Sequence, residues 1–181
     1  MKNPIVRSVA IAVALLAGAA LAGAQDVRDR SADPLGKLDP QTRYSVEMLL
    51  DSARLAGLPY GPLESKALEG ISKRASGRDI LVAVRKVFRT LRDARSALGA
   101  GASADELTAG AGALRVGIST AELSHLASAR DAKTSLTVPL IVLSDLVTRG
   151  VPRDTASLTI NQLLQHGAAD DDFWGLWHNV E

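Results

Sequence analysis

Residues Ser103–Glu122 read SADELTAGAGALRVGISTAE. The stretch contains two S-x-x-E boxes, Ser103/Glu106 and Ser119/Glu122. Such a box opens a helix: the serine oxygen accepts from the N–H three residues on, and the glutamate returns to the serine N–H. Gly117 stands just before the second box, where one helix ends and another begins. Ile118 precedes the second cap and Leu123 follows at the fourth helical position, which is the spacing of a hydrophobic staple. Two helices are therefore expected, one to about Val116 and one to about Ala129. Gly110 and Gly112 inside the first cost roughly 1 kcal/mol each relative to Ala, so that helix should be short, frayed or tightly packed.

The same signals recur on both sides. Asp39-Pro40 is an N-cap followed by proline at the first helical position, with Val46, Leu49, Leu50 and Ala53 at helical spacing and Gly57 as the stop. A second helix is expected from about Leu63 to Arg74. The longest spans about Arg78 to Leu98, with Leu81, Val84, Phe88, Leu91 and Leu98 as its apolar face. Leu136 to Arg149 is apolar nearly all round and too short to cross a bilayer, so it is expected to be the central buried helix. Pro139 is tolerable there only in the first turn. Helices from about Asp154 to Gln165 and from Asp170 to Asn179 complete the chain. Four joints share a glycine, a small or apolar residue, Pro or Ser, and a later Leu: at Gly57, Gly101, Gly117 and Gly150. Their irregular separations fit convergent helix joints rather than a repeat of fixed period.

The expected fold is all-α: one compact bundle or short solenoid of seven to eight short helices over residues 39–181. Residues 25–38, with Asp26, Arg28, Asp29, Arg30, Asp33, Pro34 and Gly36, read as a flexible polar linker. Residues 1–24 read as a Sec-type signal peptide. Lys2 and Arg7 supply its basic end, Val9 to Leu21 its apolar run, and Ala22-Gly23-Ala24 an A-x-A site that places cleavage before Gln25. The expected destination is the periplasm or the medium.

Removing Lys2 and Arg7 leaves 19 basic against 20 acidic residues, so the processed chain is not a polycation. With no cysteine there are no disulfides and no thiolate metal ligands. The aromatic share is 3 %, which leaves Ala, Leu, Val and Ile to build the core.

Arg78, Arg85, Arg89 and Arg92 line one stripe of the 78–98 helix, with Lys86 and Arg95 beside it. From Gln25 to Leu98 there are 14 basic and 10 acidic residues; from Gly99 onward there are 5 and 10. Such a stripe suits an acidic protein, an anionic envelope polymer or anionic lipid headgroups. The lack of interleaved aromatics argues against nucleic acid. Phe173, Trp174 and Trp177 hold half of the six aromatics and suit either a clasp over the bundle or a docking tail.

Glu122 and His125 lie three apart on one helix face, the spacing of a di-iron half-site, but only one copy exists. Asp170-Asp171-Asp172, between His166 and His178, suits a helix N-terminus better than a cation. No G-x-S-x-G and no phosphate-binding loop occurs. The expectation is a non-enzymatic exported module, with no cofactor, that contacts another protein or an anionic envelope component and carries no transmembrane span once processed. The alternatives are a metal-binding or enzymatic bundle using Glu122 and His125, and a peripheral membrane protein using the basic face of the 78–98 helix.

Overall fold

The computed structural model describes residues 34–130 and 134–178. The expectations for the leader, for its Ala22/Ala24/Gln25 cleavage site and for 25–33 lie outside the described residues. Pro34–Lys37 is one turn of 3-10 helix. Eight α-helices follow among the described residues: α1 Pro40–Leu55, α2 Gly61–Ser72, α3 Gly77–Leu98, α4 Ala104–Arg115, α5 Thr120–Ala129, α6 Thr137–Thr148, α7 Arg153–Gln165 and α8 Asp170–His178. No strand occurs among the described residues, and those from Lys37 on form a compact all-helical unit.

The caps are made by the residues that announced them. Asp39 accepts from the Thr42 N–H at 3.0 Å at the start of α1. Ser76 accepts from Asp79 at the start of α3. Both S-x-x-E boxes are closed in both directions. Each such cap is worth about 1 kcal/mol.

The helix ends follow one pattern, with one departure from expectation. At Gly57 and Gly117 φ is +64° and +100°, and the next residue's N–H reaches back to the carbonyl five residues earlier (Leu58 to Ala53, 2.8 Å; Ile118 to Ala113, 3.1 Å). A side chain is disfavoured at that φ, so glycine belongs there. The joint after α3, however, turns on Gly99 (φ +89°) and not on Gly101. Arg74, after α2, has φ +54° without being glycine.

Each helix packs chiefly on helices one or two along the chain: α1 on α2 and α3, α2 on α3, α3 on α4 and α5, α4 on α6, α5 on α7, α6 on α7 and α8, and α7 on α8. The central helix is α3, which touches four others, rather than α6. Length explains this: α3, of 22 residues, is about 33 Å long and the 12-residue α6 about 18 Å. α6 buries Pro139, Leu140, Val142, Leu143 and Leu146, yet leaves Ile141 42 % exposed.

Two glycines let α3 meet its neighbours closely. A Cβ at Gly110 of α4 would stand 2.8 Å from Leu98 Cδ1, and one at Gly70 of α2 would stand 2.5 Å from Ile80 Cγ1. Gly110 is thus a packing residue, and α4 is closely packed rather than frayed. Among the large side chains, Leu63, Leu91, Leu107, Leu123, Leu126, Leu136, Leu140, Leu143, Ile160 and Phe173 are fully buried. Aliphatic packing of this kind contributes about 25 cal/mol per Å² buried.

Candidate functional site: the basic face of α3

The face of α3 turned from the core is built by periodicity alone. Ile80, Val84, Leu91, Ala94 and Leu98 are buried, which leaves Arg78, Val82, Arg85, Arg89 and Arg92 exposed on the opposite side. Arg78 and Arg92 are 14 residues apart, so the stripe runs about 21 Å. Val82, 56 % exposed, stands among the arginines.

None of these four arginines makes an ion pair among the described residues; Arg89 Nε only approaches its own helix, donating to the Arg85 carbonyl at 3.4 Å. Lys86, beside the stripe, is exposed and equally without an ion pair. Arg95 departs from the sequence reading. It belongs to the fold: its Nη2 donates to the Gly57 carbonyl at 2.5 Å and its Nη1 to the Ala100 carbonyl at 2.9 Å. It ties the joint after α1 to the joint after α3.

Several other cations are spent on partners. Arg54 pairs with Asp51, Lys66 and Lys73 with Glu69, and Arg149 with Asp145. Glu69, between two lysines, is held at a pKa of about 2, chiefly by the Lys66 hydrogen bond. Arg153 Nη1 donates to the Gly117 carbonyl at 2.7 Å.

The C-terminal aromatics divide. Phe173 is fully buried and so presents nothing to a partner. Trp177 donates through Nε1 to Asp145 Oδ2 at 2.6 Å, and the Arg149 guanidinium lies 4.6 Å from its ring centroid. Trp174 is edge-on to Trp177 and 36 % exposed. α8 is thus a clasp on α6, with Trp174 at its outer edge. Asp172 accepts from the Ala169 N–H at 2.8 Å, so one member of the acidic run closes the start of α8.

Glu122 and His125 line a recess between α5 and α7, and Glu122 is committed elsewhere. Its Oε2 accepts from the Ser119 N–H at 2.8 Å and its Oε1 from the Ser157 hydroxyl at 3.2 Å. The Ser119 hydrogen bonds hold its carboxyl below the usual range. His125 is exposed. No group of three or more His, Cys, Asp or Glu side chains placed to hold a metal ion occurs among the described residues. No protein-family model, curated protein or solved structure matches this chain.

Sequence reasoning understated Glu106. Beyond its capping box, this side chain is 4 % exposed, and its Oε1 accepts from the Leu136 N–H at 2.9 Å and pairs with Arg130. One carboxylate joins the start of α4, the start of α6 and the end of α5. Burial opposes its ionisation, but the Leu136 and Ser103 N–H groups and Arg130 overcome that cost and hold its pKa below the usual value. A second feature passed over is an exposed apolar seam on α1, where Tyr44, Met48 and Leu55 are 64 %, 49 % and 91 % exposed. Its spacing was readable in the sequence.

No helix among the described residues is long and apolar enough to cross a membrane.

Proposed function

We propose that this chain is an exported, non-enzymatic helical module that recognises an acidic protein or an anionic envelope component through the basic face of α3. The observation that carries this reading is the contrast in pairing. Arg78, Arg85, Arg89 and Arg92 share one exposed face and make no ion pair among the described residues, while Arg54, Arg130 and Arg149 are each paired. A guanidinium offers a planar fork that matches carboxylate or phosphate. Binding here breaks no ion pair among the described residues, so the cost is the ordering of each side chain, about 0.5–1.5 kcal/mol. The export half of the proposal rests on the leader: Lys2 and Arg7, the apolar run Val9 to Leu21, and the Ala22/Ala24 site.

Three experiments test the two halves. The secreted or periplasmic chain should begin at Gln25, and a chain retaining Met1 in the cytoplasm would end the export reading. The combined variant Arg85→Glu, Arg89→Glu and Arg92→Glu should lose its crosslinked partner in the native compartment while unfolding at the wild-type temperature. Retention of the partner would remove the basic face from the account. Sedimentation with vesicles separates lipid from protein: binding that does not depend on anionic lipid would exclude headgroup recognition.

A further inference from the structure

A cleft of about 260 Å³ opens between α2, α3 and α4. Leu91 and Ala111, both buried, line its interior, with half-buried Pro62 and Val87. Gly112 also borders it. A second recess, of about 540 Å³, is lined by Lys86, Thr90, Asp93, Leu114 and Arg115. Thr90 and Arg115 line both spaces, so an apolar cleft and a polar recess share an edge at Arg115.

We propose that this cleft binds a small amphipathic carboxylate, its apolar body against Leu91, Ala111 and Gly112 and its carboxylate on Arg115 and Lys86. Both cations are exposed and neither makes an ion pair among the described residues. Asp93 sets one negative charge against two positive ones in the recess. Lys66, the other cation of the cleft, is engaged by Glu69. The Thr90 and Thr108 hydroxyls donate to the Lys86 and Ala104 carbonyls at 2.9 and 2.8 Å, which leaves Arg115 and Lys86 as the charged donors. The apolar cleft lies just under the roughly 300–1,000 Å³ of ordinary ligand sites, which favours a slender chain over a fused-ring ligand.

Calorimetric titration of the processed chain with butanoate, hexanoate and octanoate, each below its micellar concentration, tests the site. One octanoate should bind per chain, and affinity should rise roughly threefold for each methylene added. Octanol, without the charge, should bind at least tenfold more weakly. Arg115→Glu should weaken octanoate at least tenfold, and so should Ser65→Trp, which places an indole at an exposed position of the cleft. Arg85→Glu should leave octanoate binding unchanged, which separates this site from the stripe. The proposal is overturned if octanoate does not bind, if octanol binds equally well, or if Arg115→Glu, unfolding like wild type, binds as wild type does.

Discussion

The arginines around α5 to α7 and those on the outer face of α3 are the same chemical group put to opposite uses. Arg130 is bound to Glu106, Arg149 to Asp145 with its guanidinium over Trp177, and Arg153 to the Gly117 carbonyl. Each fastens one helix to another or covers a joint. On α3, Arg78, Arg85, Arg89 and Arg92 fasten nothing among the described residues. The lesson is that charge in the first region is a structural fastener, and charge in the second is surface held in place by a helix built for other reasons. Removing a fastener should cost stability; removing the α3 charges should cost binding alone.

The largest effect is expected at Glu106. Glu106→Ala leaves Arg130 and two helix N-terminal amides without their acceptor, and breaking a pair of this kind costs about 3 kcal/mol. Urea unfolding reads it directly, and a loss no greater than that of an exposed substitution would break the contrast.

Acid should reveal the same group. The folded pKa of Glu106 is depressed below its reference of 4.5, so its stabilisation is present above the unfolded pKa and is lost as pH falls below about 4.5 toward the folded value. Glu106→Gln should flatten the stability–pH curve in that window, and an unchanged curve would contradict the assignment.

Smaller losses are expected at two partly exposed fasteners. Glu122→Ala removes one side of a capping box and should cost about 1 kcal/mol. Trp177→Phe forfeits the bond to Asp145 and should cost about 1 kcal/mol. Thermal unfolding separates either from Glu106→Ala. The smallest stability effect belongs to the α3 face: Arg85→Glu with Arg89→Glu should change unfolding free energy by about 0.5 kcal/mol or less, as surface substitutions do.

Much of this arrangement is legible in the sequence. Caps and joints are local chemistry, so Asp39, Ser103, Ser119, Gly57 and Gly117 announce themselves. Helical period places Val84, Leu91 and Leu98 on the buried side of α3, but it also places Leu81 and Phe88 there, which are half-buried, and passes over Ile80 and Ala94. What failed was long-range. The sequence does not state that Glu106, three residues from its cap, also meets Leu136 and Arg130 across two other helices. Nor does it state that Arg95, on the same helix as the stripe, turns to the Gly57 carbonyl. The centrality of α6 was inferred from its apolarity, but length and placement decided it, because α3 alone spans four neighbours. Gly101 reads as the joint because it directly precedes the Ala102-Ser103 of the next cap, whereas Gly99 takes the positive φ. The stripe of arginines was visible as a pattern; that its members make no ion pair among the described residues was not, since pairing depends on carboxylates brought near by the fold.

The most direct test places a photo-crosslinking residue at Val82, amid the α3 arginines, and in a second chain at Leu158 of α7, which is similarly exposed at 58 %. Both chains are exported, irradiated in their native compartment and analysed by mass spectrometry. The account requires an adduct with an acidic protein or anionic polymer from position 82 that disappears with Arg85→Glu, Arg89→Glu and Arg92→Glu, and no such adduct from position 158. An adduct that survives those substitutions, or one that forms equally from both positions, would contradict it.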